Sequence, residues 1–157
     1  NDEMLVKIAD KIDQANNVFV AALGRSRLNI MAFATRLMQM GISAHVVGDN
    51  STPSIHRGDL FIIGSSSGKT SSLVEFAKKA KAVNAEIVLF TEAETSPIGD
   101  LSSLVYRMEA DESRLPDQLG WYSEYGINLC YECIVMYLMK KRGLSKEKME
   151  SELANLY

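Results

Sequence analysis

Short, continuous apolar runs alternate with helix-like stretches along most of this chain. The runs at 18–23, 60–64 and 86–90 have the composition of strands that are buried on both faces of a sheet. Helical patterns at 28–40 and 71–83 separate them. Strands that alternate with helices pair in parallel through right-handed crossovers. The pattern therefore predicts an α/β fold, a doubly wound five-stranded parallel sheet flanked by helices.

Weaker patterns complete the expected order of elements. Further helices are expected at 4–15, 96–99 and 119–141 and from Ser145 onward, weaker strands at 44–47 and 103–106, and a polar, acidic loop at 109–118. The chain has 157 residues, enough for one sizeable core, and shows no linker and no repeat. A single domain over residues 1–157 is expected.

Composition and charge argue against several classes of partner. The net charge is −3, which gives no basic face for a nucleic acid. No apolar run reaches the length of a membrane span, and no signal peptide is visible. Cys130 and Cys133 have the spacing of half a zinc site, but they lie in an apolar helical pattern without a second ligand pair. We therefore expect a cytoplasmic protein without metal, nucleic-acid partner or membrane.

Four hydroxyl residues and a glycine surround a lysine directly after the third predicted strand. In order they are Ser65, Ser66, Ser67, Gly68, Lys69 and Thr70, and a helical pattern follows them. The N–H groups and the dipole of a helix N-terminus favour an anion, and the hydroxyls and a close glycine backbone add contacts to phosphate oxygens. The alternative is a turn in which Ser67 or Thr70 caps the helix, although one cap needs one hydroxyl. We call residues 65–70 the serine loop and predict that it binds phosphate.

A second loop of this kind follows the first predicted strand. It consists of Gly24, Arg25 and Ser26, here called the first loop. Ligands of doubly wound sheets bind beyond the carboxyl ends of the strands, so both loops are expected to face one pocket. The order of a nucleotide P-loop and the Gly-x-Gly-x-x-Gly motif are both absent. The expected ligand is therefore a small phosphate ester.

These motifs resemble the sugar isomerase (SIS) domain family. The similar stretches are residues 24–26, 32–38, 46–53, 58–60 and 65–70, and Ala154-Asn155-Leu156 falls where part of the family ends in Ala-Asn-Leu-Glu. The resemblance covers nearly the whole chain and is strongest to the 6-phospho-3-hexuloisomerases. It implies a flavodoxin-like sheet that binds a small phosphorylated sugar.

The same resemblance implies an activity and the residues that serve it. Family members of this kind interconvert 3-hexulose 6-phosphate and fructose 6-phosphate without metal or cofactor. Their serine loop holds the phosphate, which corresponds here to Ser65, Ser66, Ser67 and Thr70, with Ser26 contributed by the first loop. They assemble as homo-oligomers, commonly tetramers, with the pocket near subunit contacts. We expect a tetramer or a dimer.

Glu124 is the predicted catalytic base. The resemblance places a glutamate at the start of the penultimate helix, and residues 119–124 keep the glycine and the glutamate of that pattern. A carboxylate can move a proton between adjacent carbons through an enediolate. The alternative is a solvated carboxylate that stabilises the helix dipole.

Some positions depart from the family pattern. Lys69 replaces a glutamate, Arg27 replaces a glycine, and Leu153 and Tyr157 stand where members carry a histidine and a final glutamate. Either other groups support catalysis, or the activity has changed. A non-catalytic phosphosugar-binding module, or an isomerase of another sugar phosphate such as a pentose 5-phosphate, are the alternatives to a hexulose-phosphate isomerase.

The two cationic side chains of the loops each have two interpretations. Arg25 suits the geometry of a phosphate, or it forms an ion pair with Asp49 or another loop acid. Lys69 opposes the helix dipole unless a phosphate is bound, so it is either a ligand contact or a solvated lysine.

Overall fold

The computed structural model describes residues 2–108 and 121–156. Its elements, in chain order, are α1 (Asp2–Gln14), β1 (Val18–Ala22), α2 (Arg25–Gln39), β2 (Ala44–Val46), β3 (Leu60–Gly64), α3 (Ser71–Ala82), β4 (Glu86–Thr91), α4 (Pro97–Leu101), β5 (Leu104–Arg107), α5 (Trp121–Arg142) and α6 (Lys146–Ser151). The predicted loop at 109–118 lies outside the described residues. No helix within them is both long and apolar enough to span a membrane.

The strands form one sheet in the order β2-β1-β3-β4-β5, and every neighbouring pair is parallel. This confirms the predicted doubly wound five-stranded sheet. Ala22 lies opposite Gly64, and Gly64 lies opposite Phe90, so the three central strands end level with one another. The strand order reverses between β1 and β3. The loops that follow these two strands therefore border the crevice where such sheets bind ligands.

Helices cover both faces of the sheet. Val20, Ile62 and Val88 point to the face that α1, α2 and α5 cover. Phe19 and Phe61 point to the opposite face, which α3 and α4 cover. Side chains alternate between the faces because successive residues of a strand point in opposite directions. The continuous apolar runs of the sequence follow from this burial on both sides.

α2 begins three residues earlier than its apolar pattern indicates. The pattern starts at Leu28, whereas the helix starts at Arg25. Gly24 precedes it with a φ of 60°, a conformation that glycine adopts without a steric cost and that turns the chain directly from strand into helix. Arg25 and Ser26 therefore lie in the first helical turn. β5 likewise ends one residue later than predicted, at Arg107.

Candidate functional site

Two helix N-termini meet at the point where the strand order reverses. α2 follows Gly24 and α3 follows Thr70, and neither N-cap residue makes a side-chain capping hydrogen bond. Neither first turn contains an acidic residue. No acidic residue of either helix therefore compensates the positive end of its own dipole, which favours an anion between them. The interpretation in which Thr70 simply caps α3 is wrong.

The serine loop is tied to its neighbours through buried polar contacts. Ser65 is buried, and its Oγ accepts a hydrogen bond from the N–H of Gly68 at 3.1 Å. The carbonyl of Ser66 accepts two more, from Oγ1 of Thr91 at 2.9 Å and from the N–H of Glu92 at 3.1 Å. The end of β4 therefore fixes the backbone of the loop. Ser65 and Ser66 serve the shape of the loop as well as any role in binding.

Gly68 is required by its surroundings. Its φ is 60°, and a Cβ at this position would lie 2.5 Å from Cβ of Ser96. Its carbonyl accepts a hydrogen bond from the N–H of Ile98 at 3.1 Å. Ser96 in turn caps α4, since its Oγ accepts from the N–H of Gly99 at 3.1 Å. α4 and the serine loop thus support each other.

The remaining serine-loop side chains lie toward solvent. Ser66, Ser67 and Lys69 are exposed, and Thr70 is half-buried. The Oγ of Ser67 accepts from the N–H of Lys69 at a long 3.4 Å. Lys69 forms no ion pair with any residue that the structure describes. This position is compatible with a phosphate contact, which stays a prediction.

Arg25 of the first loop pairs with the predicted base. Its Nε lies 3.0 Å from Oε2 of Glu124, and the Glu124 side chain is 19% exposed. Nδ2 of Asn29, one turn further along α2, donates to the carbonyl of Glu124 at 3.5 Å. Two residues of α2 therefore hold the first turn of α5. The carboxylate of Glu124 is neither isolated in solvent nor free of a partner.

The alternative pairing considered for Arg25, with Asp49, belongs to Arg27. Nη2 of Arg27 lies 3.1 Å from Oδ1 of Asp49, and its Nη1 donates to the carbonyl of Val47 at 2.8 Å. Arg27 thus attaches the loop after β2 to the first turn of α2. The adjacent arginines divide the two roles, one holding the loop after β2 and the other facing Glu124.

The structure adds residues to this sheet edge that the sequence patterns did not single out. Asn29, Thr91 and Glu92 all contact the predicted loops or the predicted base. The signal for Thr91 and Glu92 was available, because Thr91 ends β4 and Glu92 follows it at the same edge as the two predicted loops. Within residues 2–108 and 121–156, no three His, Cys, Asp or Glu side chains are grouped as a metal ion would require.

A loop that favours an anion and a carboxylate thus lie at the same sheet edge. The family model of the SIS domain matches residues 11–125, and the chain belongs to this family. The expected family is thereby confirmed.

Several relatives of this chain have a named activity. The chain is 38% identical over 163 residues to the 3-hexulose-6-phosphate isomerase of Bacillus subtilis, covering 99% of this chain and 88% of the relative. It is 34% identical to the enzyme of the same name from Methylomonas aminofaciens, covering 96% and 86%. A crystal structure of a Methanococcus jannaschii protein, whose inferred molecular function is 3-hexulose-6-phosphate isomerase, superposes with a TM-score of 0.89. It is 26% identical and covers 99% of this chain and 86% of that one.

Proposed function

We propose that this chain is a 3-hexulose-6-phosphate isomerase that acts as one SIS domain. The observation that carries the proposal is the meeting of two uncapped helix N-termini with the Arg25–Glu124 pair at one sheet edge. The identity to relatives of that name supports the choice of substrate. The substrate is a small phosphorylated sugar, and the reaction needs neither metal nor cofactor.

The phosphate is bound between the two helix N-termini. The backbone N–H groups of the first turns of α2 and α3 and the hydroxyls of Ser26, Ser67 and Thr70 supply donors to its oxygens. Lys69 is the cation of the serine loop, and its charge offsets part of the phosphate charge. The buried attachment of Ser65 and Gly68 keeps this loop in its binding shape before the ligand arrives.

Glu124 moves the proton that isomerisation requires. It removes the proton from the hydroxyl-bearing carbon next to the carbonyl and returns it to the former carbonyl carbon, through an enediolate. Arg25 holds the carboxylate through Nε, which leaves the two terminal nitrogens of its guanidinium to face the substrate. Positioned in this way, the base needs no reorganisation when the substrate binds.

The main test compares two carboxylates of α5. Glu124 pairs with Nε of Arg25 at 3.0 Å, and Glu132 pairs with Nε of Arg36 at 3.4 Å, so both join α5 to α2 in the same way. Coupled turnover of 3-hexulose 6-phosphate to fructose 6-phosphate is measured for the wild type, Glu124→Gln and Glu132→Gln. We expect kcat to fall about 10²–10⁴-fold in Glu124→Gln, the usual contribution of a general base. Glu132→Gln should stay within about twofold of the wild type because exposed ion pairs contribute little.

Two outcomes would contradict the proposal. If both variants keep wild-type turnover, Glu124 is not the base. If the wild type binds fructose 6-phosphate without any turnover, the chain is the non-catalytic binding module. The ion pair of Glu124 with Arg25 would then favour binding over proton transfer, because it neutralises the carboxylate. Assays with pentose 5-phosphates then separate an isomerase of another sugar phosphate from a binding module.

We further propose a homo-oligomer, a dimer or a tetramer, in the cytoplasm. Exposed apolar side chains recur on adjacent helices, at Leu28 and Met31 of α2 and at Tyr125, Leu129 and Met136 of α5. Leu129 and Met136 are 66% and 68% exposed, and such a surface is typical of a subunit contact.

The cysteines support the proposed compartment. Both cysteines are unpaired, as is usual in a reducing compartment. For the oligomer, light scattering gives the mass of the assembly, and Met136→Glu should lower that mass. A monomeric wild type would contradict the proposed homo-oligomer.

A further inference from the structure

One buried carboxylate oxygen at this sheet edge has no hydrogen-bond partner. It is Oε1 of Glu92, the residue directly after β4. Buried polar atoms nearly always have a partner, so each exception calls for an explanation. The other such atom among the described residues is Oε1 of Gln39, in the last turn of α2. α2 starts at the site, so Gln39 lies about 20 Å away along the helix.

Main-chain contacts fix the position of Glu92 beside the serine loop. Its N–H donates to the carbonyl of Ser66 at 3.1 Å, and its own carbonyl accepts from Nε of Arg107 at 3.4 Å. The Arg107 guanidinium pairs with Glu94 at 3.2 Å. In the ranges that the structure covers, no cation pairs with the carboxylate of Glu92. Its buried oxygen therefore has no partner among the described residues.

The alternation of side chains along β4 predicts that Glu92 lies on the side of α5. Val88 and Phe90 both belong to the core under α5, and the rings of Phe90 and Tyr131 are 4.9 Å apart. Every second residue of a strand points the same way, so the spacing predicts that Glu92, in the bend directly after β4, continues the series of Val88 and Phe90. Glu124 approaches the same edge from the first turn of α5.

Met108 connects the end of β4 with the start of α5. Its N–H donates to the carbonyl of Thr91 at 2.8 Å, one residue before Glu92. A Cβ added to Gly126 would lie 3.0 Å from Cε of Met108, so the second turn of α5 packs directly on this methionine. Gly126 is two residues from Glu124. The ends of β4 and β5 therefore lie beneath the turns of α5 that carry the predicted base.

We propose that Glu92 is a second catalytic carboxyl group of this site, which exchanges protons with the oxygen atoms of the sugar. The inference rests on the proposed isomerase function and adds a residue to it. Isomerisation moves one hydrogen between two carbons and another between their two oxygens. Glu124 serves the carbons, so the proton transfer between the oxygens needs a second group. Glu92 has an unpartnered oxygen for it, and a substrate hydroxyl would restore the missing hydrogen bond.

The two steps balance without any further reagent. Glu124 takes the proton from the carbon that bears the hydroxyl, the freed electron pair forms a C=C bond, and the carbonyl oxygen becomes the charged oxygen of the enediolate. Glu92, as a carboxylate, takes the proton of the original hydroxyl and passes it to the enediolate oxygen, and the oxygen that has lost its proton forms the new carbonyl. The C=C electron pair takes the proton from Glu124 at the former carbonyl carbon. One carbon is oxidised, its neighbour is reduced, and both glutamates return to their starting forms.

The test uses the neighbouring glutamate as a matched control. Glu92→Gln keeps the shape of the side chain but cannot transfer a proton, and we expect kcat to fall about 10²-fold with KM changed less than about threefold. Glu94→Gln removes an exposed carboxylate two residues further on and should leave both constants within about twofold. Formate added to Glu92→Ala should restore part of its kcat in proportion to the formate concentration. A residue with only a structural role would show no such rescue.

The outcomes separate this inference from the proposed function. A wild type without turnover of 3-hexulose 6-phosphate overturns both. A wild type that turns over while Glu92→Gln keeps kcat within about threefold overturns the role of Glu92 alone. Loss of activity in Glu92→Gln with a raised KM and a lowered melting temperature also overturns it, because the residue then only supports the serine loop. If Glu92→Ala does not fold, the kcat and KM of the isosteric Glu92→Gln decide the question.

Discussion

The serine loop and the first loop lie side by side at one sheet edge but are held in different ways. The serine loop is fixed by buried contacts from the next strand and helix, through the carbonyls of Ser66 and Gly68. The first loop has open space around Gly24, and its contact with α5 joins two charged side chains, Arg25 and Glu124. Backbone contacts hold one loop, and side-chain charges hold the other.

This difference matches the two tasks of the proposed reaction. A phosphate does not change during isomerisation, so a loop that is rigid before binding loses little entropy when the ligand arrives. The proton-transfer groups meet charges that develop and disappear during the reaction, and charged side chains respond to them. We therefore expect changes in the serine loop to affect stability and binding together, and changes in the first loop to affect turnover.

The largest expected effect separates two glycines that share a φ of 60°. Gly68→Ala brings a Cβ to 2.5 Å from Cβ of Ser96, whereas Gly24→Ala meets nothing within 4 Å. We expect Gly68→Ala to lower the free energy of unfolding by about 2–5 kcal/mol, through strain and overpacking together. Gly24→Ala should cost only the strain, about 1–2 kcal/mol. Urea denaturation measures the loss of unfolding free energy in both variants. Equal losses would mean that the contact of the new Cβ with Ser96 adds no cost.

A smaller effect is expected where β4 supports the serine loop. Thr91 is fully buried, and Thr91→Val removes the hydroxyl that donates to the carbonyl of Ser66 at 2.9 Å. The loss should be about 1–2 kcal/mol in the free energy of unfolding, with weaker binding of inorganic phosphate by calorimetry. Thr35→Val is the control, because its hydroxyl bonds only to Met31 on the exposed surface of α2. Its effect should stay within about 0.5 kcal/mol.

Arg25→Gln tests the charged contact of the first loop. We expect kcat/KM to fall about tenfold, or 1.4 kcal/mol, because Glu124 loses its charged hydrogen-bond partner. The difference should shrink at high salt, since the Arg25 side chain is 64% exposed. Arg36→Gln breaks the analogous pair with Glu132 and should leave kcat/KM unchanged. A similar loss in both variants would make the effect structural.

The smallest effect concerns an ion-pair cluster remote from both loops. The hydrogen bond from Arg142, followed by that from Lys141, lowers the pKa of Asp13 below its ordinary value of 3.8. Its stabilisation is therefore present above that value and is lost as the pH falls through the lowered pKa. Asp13→Asn should cost about 0.5–1 kcal/mol at neutral pH and nothing in strong acid, without any change in turnover. A constant loss at every pH would exclude the charge as its cause.

Much of the fold and the position of the serine loop followed from local sequence. The apolar runs predict β1, β3 and β4 because burial on both faces favours apolar residues at nearly every position of a strand. The serine loop stood out by composition, at the carboxyl end of a predicted strand. The two helices of the site were predicted, although the start of α2 was placed three residues late, because Arg25 and Ser26 carry no apolar signal.

The partners of the charged side chains required the tertiary structure. Arg25 and Glu124 are 99 positions apart, and adjacent Arg27 took the pairing with Asp49 that was considered for Arg25. The unpartnered oxygen of Glu92 is likewise a property of its surroundings and has no counterpart in the sequence. The sequence by itself determined the sheet, its edge and the place of the serine loop, because these depend on residue type and order. Only the tertiary structure decided which charges meet, because side chains equally able to form a pair differ only in where packing places them.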